Sequence, residues 1–272
     1  MIKTVAGFPF FADKLIDANK FQTLTETEDK YLKNEIREIS SIQRTKLRQK
    51  PISGNFDLEH FLSIHEFLFY KVSSSAGKMR EIGIKKGSVS FAPANEIINV
   101  FKKIEPMKER LTTCRNHEQF AVVFAGIFNA INYAHPCLEG NGRTTRLFVE
   151  QLAKQFDLSL HLDNLARKDW LDACNAGFNG SLAPLASIFR MGLMSKEASE
   201  VLDLFSIRLK NKLKQENISE ENFREQYQIN YKKLRETISS LSEAEIRTFK
   251  ERMICSKGKI RKLSHEHSKN AA

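Results

Sequence analysis

The apolar run Phe120 to Ala134 ends at His135-Pro136, and the chain then passes through Gly140-Asn141-Gly142 before a second periodic run begins at Arg143. Proline disfavours the helical region for the residue before it, so the first run predicts a helix closing at about His135. Leu147, Phe148 and Leu152 recur at spacings that suit a helix buried on one face. The first helix is apolar nearly all round and therefore belongs at the centre of a core. Whatever this chain folds into must be assembled around a helix, a glycine-rich loop and a second helix.

The loop has the composition of an anion site. Gly140 and Gly142 let backbone amides approach a ligand closely, and Asn141 tolerates unusual dihedrals. Those amides lie at the positive end of the following helix, where an oxyanion gains both hydrogen bonds and the dipole. Arg143 and Arg146 project from the first turn, the end at which cations are disfavoured, which points to a polyanion between them and the amides. Glu139 beside them is odd for a plain anion site, but a carboxylate next to phosphates is where Mg2+ belongs. His135, at the mouth of the loop, can take a proton from an incoming hydroxyl. Singly, each piece has an ordinary structural explanation: a turn, a helix-end histidine, a solvated arginine pair. In this order they require several coincidences.

Residues His135 to Arg146 resemble the signature of Fic-domain proteins, His-x-Phe-x-Asp/Glu-Gly-Asn-Gly-Arg-x-x-Arg, with Cys137 in place of the phenylalanine. The likeness extends back through Gly54-Asn55-Phe56-Asp57, Ile64-His65, Leu68-Phe69, Ala76-Gly77 and Arg80, and forward to Pro184-Leu185 and Phe189. It implies transfer of AMP from ATP to a Ser, Thr or Tyr hydroxyl of another protein. His135 would be the general base and Glu139 would hold Mg2+. Gly140, Asn141 and Gly142 would bind the α- and β-phosphates, and Arg143 and Arg146 would neutralise the β- and γ-phosphates. Cys137 is smaller than the residue it replaces, which implies a gap that Phe124, Phe128 or Phe148 would have to fill. Ser73 and Ser75 stand where relatives often carry Tyr and Trp, which suggests repacking ahead of the flap.

Elsewhere the pattern is mainly helical. Glu26 to Gln49 reads as one amphipathic helix, and Pro51 and Gly54 then break the chain. Asp57 suits an N-cap for a helix whose buried side carries Phe61, Ile64, Phe67 and Leu68. His60 and His65 read as core or surface residues rather than a metal site. Ile82, Ile84, Val89 and Phe91 around Lys85-Lys86-Gly87-Ser88 give a short hairpin. In the Fic resemblance this hairpin is the flap over the site, where Lys85, Lys86 and Gly87 would position the target as an added strand. Helices are also predicted over Ile97 to Leu111, Trp170 to Phe178 and Leu185 to Leu193, and two more over Lys196 to Lys250 with Ser219 as a cap between them. The expected fold is all-α: a Fic core with a small β-hairpin flap and a helical C-terminal extension. The expected divisions are 1–53, an N-terminal helical segment; 54–194, the Fic domain; 195–256, the extension; and 257–272, a basic tail expected to be disordered.

At 272 residues and 41% hydrophobic, the chain can bury one sizeable core with an appendage. A net charge of +10 fits binding of ATP and an acidic protein partner. The basic tail lacks interleaved aromatics, so no direct nucleic-acid binding is expected. Cys114, Cys137, Cys174 and Cys255 are scattered, which predicts free thiols in a reducing compartment. No membrane span or secretion signal is read, and a cytoplasmic protein is expected, with delivery into a host cell left open.

Fic relatives often carry an inhibitory helix, Ser/Thr-x-x-x-Glu-Gly/Asn. The only Ser or Thr followed by Glu at that spacing is Ser239 to Glu243, and Ala244 follows it. The favoured expectation is therefore a toxin restrained by a separate small antitoxin protein, with Glu243 as a degenerate internal inhibitor in second place. The alternatives are a secreted effector that AMPylates host GTPases and a non-catalytic, nucleotide-binding interaction protein.

Overall fold

The computed structural model describes residues 3–5, 8–10, 26–86, 89–162, 165–216 and 218–251. Its chain forms two compact units, Met1–Phe156 with Leu165–Gly192, and Asp157–Asn164 with Leu193–Ala272. Gly87, Cys255 and the basic tail 257–272 lie outside the described residues.

The first unit opens with an antiparallel pair, β1 (Lys3–Val5) and β2 (Phe8–Phe10), followed by α1 (Glu26–Gln49). From residue 34 onward, the buried stripe of α1 is Ser40, Gln43 and Leu47, two of the three polar, while Ile42 is exposed. The polar positions are used: Gln43 donates to the Phe67 carbonyl at 3.2 Å, and Ser40 meets an arginine of the signature loop. Arg48, in the last turn, forms a bidentate pair with the buried Glu150 carboxylate at 2.7 and 2.8 Å.

Next comes α2 (Leu58–Phe69), capped as expected by Asp57, whose side chain accepts from the His60 amide. The hairpin is present as β3 (Lys85–Lys86) against β4 (Val89–Ser90). The helix expected over 97–111 is two, α3 (Ile97–Lys102) and α4 (Glu105–Leu111). Pro106 explains the break: it has no N–H, and its ring clashes with the carbonyl four residues back, which is that of Lys102, the last residue of α3.

At the centre lies α5 (His117–Ala134), with Val123, Phe124, Ile127, Phe128 and Ile131 buried and only its Val122 and Tyr133 edge exposed among large apolar side chains. Asn116 caps it by accepting from the Gln119 amide. Packed around α5 are α3, α4, α6 (Asn141–Lys154), α7 (Arg167–Phe178) and α8 (Ala183–Gly192). Phe61, Phe124, Phe128, Phe148 and Phe189 are fully buried, and Phe128 lies edge-on to Trp170 at 5.0 Å. Truncating one such ring to alanine typically costs about 3–5 kcal/mol, so this aromatic layer is a main source of the core's stability.

The second unit contains a strand pair that the sequence pattern does not reveal, β5 (Leu158–Leu160) against β6 (Leu193–Ser195). Ser195 caps α9 (Lys196–Gln215), and Ser219 caps α10 (Glu220–Ser240). Leu241 is extended, and a further helical stretch opens at Ser242 with a capping box: Glu245 accepts from the Ser242 amide at 2.8 Å, and Ser242 Oγ from the Glu245 amide at 3.3 Å. Met194, Val201, Leu202, Tyr231, Ile238 and Ile246 form the core of this unit. The fold is thus all-α with small two-stranded pieces. Among the described residues, no helix is long and apolar enough to cross a membrane.

Candidate active site

Four elements converge on the signature loop: the end of α5, the start of α6, the helix α2 and the hairpin. His135 is the C-cap of α5 in the left-handed region (φ 44°, ψ 61°), with its amide still bonded to the Ile131 carbonyl. Its Nδ1 lies 3.2 Å from the Asn132 carbonyl oxygen. A carbonyl can only accept, so Nδ1 carries the proton and Nε2 keeps its lone pair. Burial, partly offset by that hydrogen bond, pushes the imidazole down from 6.5 to about 4, and the Lys86 and Arg80 charges push the same way. His135 is therefore neutral at physiological pH, with Nε2 as its acceptor.

The loop is closed from inside. Asn141 is 2% exposed; its Oδ1 accepts from the Cys137 amide at 2.9 Å, and its Nδ2 donates to the Cys137 carbonyl at 2.6 Å. The Asn141 side chain thus ties the loop together, and its backbone amide lies in the uncapped first turn of α6. Cys137 is itself buried, and the loop keeps its closure around the smaller residue.

Gly140 has φ 80°, and a Cβ there would lie 2.5 Å from the Phe69 ring, so glycine is required by the protein itself. Gly142 is different. A Cβ there would meet nothing within 4 Å, which leaves an open cradle beside the first turn of α6. That turn has no side-chain cap and no acidic residue. Uncapped amides facing open space are what an anion at a helix N-terminus needs.

The two arginines go to different partners. Arg143 donates through Nη1 to Ser40 Oγ at 2.8 Å and to the Ile36 carbonyl at 3.4 Å, and its guanidinium lies 4.7 Å from the Phe69 ring centroid. Arg146 lies over the Trp170 ring of α7 at 5.4 Å. Glu139 is exposed, and its carbonyl oxygen accepts from His65 Nε2 at 2.8 Å. His65 is buried, and its Nδ1 accepts from the Gly77 amide at 2.9 Å, so both ring nitrogens bridge the loop to the segment leading into the hairpin. Lys85 and Lys86 are exposed on β3.

Arg80 knits the remaining pieces together. It is 2% exposed and donates to the carbonyls of Ile82, Ala92, Ala134 and His135, while its amide donates to the Pro136 carbonyl. Phe91, one residue beyond β4, stacks on the His135 imidazole with ring centroids 3.7 Å apart and planes inclined by 25°. The sequence offered only hints here: an arginine in the resemblance, and an aromatic among the apolar positions of the hairpin pattern.

The Fic/DOC family profile matches residues 55–153, which span α2 to α6. The probable protein adenylyltransferase y4lH of Sinorhizobium fredii is 30% identical over 162 residues, 58% of this chain and 84% of that protein. The chain belongs to the Fic/DOC family. This Fic protein is also 30% identical, over 60% of its length, to the protein adenylyltransferase VbhT of Bartonella schoenbuchensis, of which the match covers only 34%. Among solved structures, BepC of Bartonella tribocorum with bound AMPPNP shares the fold at a TM-score of 0.58 and 23% identity, over 61% of this chain and 88% of that one. The type IV secretion effector BepA matches at 0.56 and 25%, over 65% of each chain.

Ser239 and Glu243 do not share a helix. Ser239 lies in the last turn of α10, Glu243 lies beyond the break at Leu241, and its exposed carboxylate is 3.9 Å from Arg247. The helical Ser-x-x-x-Glu arrangement behind the internal-inhibitor expectation is absent at this position, because the Ser242–Glu245 capping box starts a new helix between its two ends.

Proposed function

We propose that this Fic protein transfers AMP from ATP to a hydroxyl side chain of a target protein. The observation that carries the reading is a neutral, tautomer-fixed imidazole at one end of a short loop whose other end is an uncapped helix N-terminus beside the open cradle at Gly142. A non-catalytic nucleotide sensor needs the second feature but not the first.

His135 Nε2 takes the proton of the target hydroxyl as its oxygen attacks the α-phosphorus. The bond from that phosphorus to the oxygen bridging to the β-phosphate breaks, and pyrophosphate leaves. The amides of Asn141 and Gly142 and the dipole of α6 hold the phosphates, so positioning and charge stabilisation do most of the work. Among the described residues Arg143 is tethered through Nη1, so its Nε and Nη2 suit the β-phosphate, and Arg146, lying on Trp170, serves the γ-phosphate. Glu139 suits Mg2+, which commonly binds through one carboxylate together with phosphate oxygens. Among the described residues no group of three or more His, Cys, Asp or Glu gathers to hold a metal without nucleotide. When bound, Mg2+ supplies neutralisation of the triphosphate charge.

The exposed Lys85 and Lys86 on β3 suit an acidic target segment laid along the hairpin as an added strand. We favour a bacterial target in the cytosol, with a small antitoxin as the restraining partner. The second reading, delivery into a host cell, is favoured by the effectors BepA and BepC among the fold relatives.

The test is incubation with Mg2+ and either α- or γ-labelled ATP in bacterial and eukaryotic lysates, beside His135→Ala. A protein band labelled only from the α position and lost in the variant is expected in the bacterial lysate. Such a band in the eukaryotic lysate alone selects the effector reading. Label from the γ position, or no label in either lysate, rejects AMP transfer.

A further inference from the structure

His135 needs more than a fixed tautomer to act as a base. Its ring must also be kept from rotating about the Cβ–Cγ bond and from being wetted on its faces. The Asn132 carbonyl restrains one edge of the imidazole. The restraint on its face comes from outside α5.

Phe91 covers one face of the imidazole at 3.7 Å, and its own ring is held edge-on by Phe178 of α7 at 5.7 Å and 68°. The backbones that carry the two stacked rings are tied to each other. The Ala92 amide donates to the Tyr133 carbonyl at 3.0 Å, and the Phe91 amide continues the hairpin ladder to the Ile84 carbonyl at 3.3 Å. One buried guanidinium, that of Arg80, donates both to the Ala92 carbonyl and, at 2.8 Å, to the His135 carbonyl. The spacing of the stack is thus set by covalent neighbours sharing one donor, and it does not depend on the two rings finding each other.

We propose that Phe91 is the positioning residue of the base: clamped between His135 and Phe178 at the exit of the hairpin, it fixes the imidazole plane and keeps water from its face. The proposal rests on His135 being the base of the reaction proposed above. The charged groups that bear on the imidazole are Lys86 on β3 and Arg80, both cationic, while α5 contributes the Asn132 carbonyl and α7 the Phe178 ring. Removal of Phe91 replaces hydrocarbon with water on one face, so the imidazole becomes easier to protonate and free to turn.

The experiment is NMR titration of the assigned His135 ring protons between pH 8 and 5, paired with steady-state AMP transfer, for wild type, Phe91→Ala, Phe91→Leu and Phe91→Tyr. Wild type and Phe91→Tyr are expected to stay neutral down to pH 5, whereas Phe91→Ala protonates with a midpoint moved towards the ordinary 6.5. Loss of orientation should lower kcat by about 10–100-fold in Phe91→Ala while KM for ATP changes little. Phe91→Leu keeps an apolar cover without a flat face, so its titration should follow wild type while its kcat falls. If Phe91→Ala does not fold, the comparison of Leu with Tyr decides: equal kcat in those two overturns the proposal. So does a folded Phe91→Ala with unchanged His135 titration and kcat. The titration requires no turnover, so a wild-type protein that transfers no AMP rejects the proposed reaction while the NMR result still judges whether Phe91 governs His135.

Discussion

Arg80 Nε donates to the His135 carbonyl oxygen at 2.8 Å, from a side chain almost wholly out of solvent. The same guanidinium reaches the carbonyls of Ile82, Ala92 and Ala134, so a single residue satisfies the end of α5 and both sides of the hairpin. Replacement by methionine leaves four inward-facing carbonyls without this donor. The expected loss of stability is about 3–5 kcal/mol, read as a lower urea midpoint. Arg80→Lys should recover little of it, because an ammonium cannot span the carbonyls reached by the planar fork.

Stability should fall on the acid side. Burial depresses the imidazole of His135 from 6.5 to about 4 and lowers those of His60 and His65 as well. Between each folded value and 6.5 the unfolded chain binds more protons, so the stabilisation is full above 6.5 and is lost as pH falls towards the folded values. Urea midpoints measured from pH 7.5 down to 4.5 should decline below 6.5, less steeply in His135→Gln. By the same displacement, the acid limb of kcat/KM for wild type should lie well below 6.5.

Asn141→Ala removes both bonds to Cys137 and leaves a buried amide and carbonyl unpaired. A loss of about 1–3 kcal/mol is expected from thermal melts. Asn141→Asp keeps the acceptor for the Cys137 amide but brings a carboxylate against the Cys137 carbonyl, so it should not restore the melting point. ATP binding measured by calorimetry should weaken in both, because the loop that shapes the amides is loosened.

Thiol labelling should rank the cysteines. Burial pushes the Cys137 thiol up to about 12 and that of Cys174 to about 11, whereas Cys114 is partly exposed. With iodoacetamide at pH 8, Cys114 should react first of these three, and Cys137 only on unfolding, as read by mass spectrometry. Cys137→Phe should overpack a site that is 1% exposed, at a cost of about 1–3 kcal/mol.

Much of the fold was legible because its signals are local. Pro136 sets the end of α5 near His135, Asp57 and Ser219 cap the helices placed after them, and alternating Ile84 and Val89 with a Gly-containing turn mark the hairpin. Pro106 was an equally local signal that splits 97–111, and its reach back to Lys102 decides where. The pairing of Leu158–Leu160 with Leu193–Ser195 was not legible, since neither stretch is long enough to show a period and their meeting depends on the helices between them.

The amino-acid sequence by itself determined that a helix, a glycine-rich turn and a second helix would follow one another, and which histidine would stand at the mouth of the turn. Those properties follow from backbone sterics, dipoles and residue spacing, which act over a few positions. Only the tertiary structure decided that Asn141 turns inward, that Arg143 and Arg146 part towards Phe69 and Trp170, and that Phe91 lies flat on His135. Side-chain direction at such positions is set by what distant segments place alongside, and no local propensity encodes a neighbour that arrives only when the core closes.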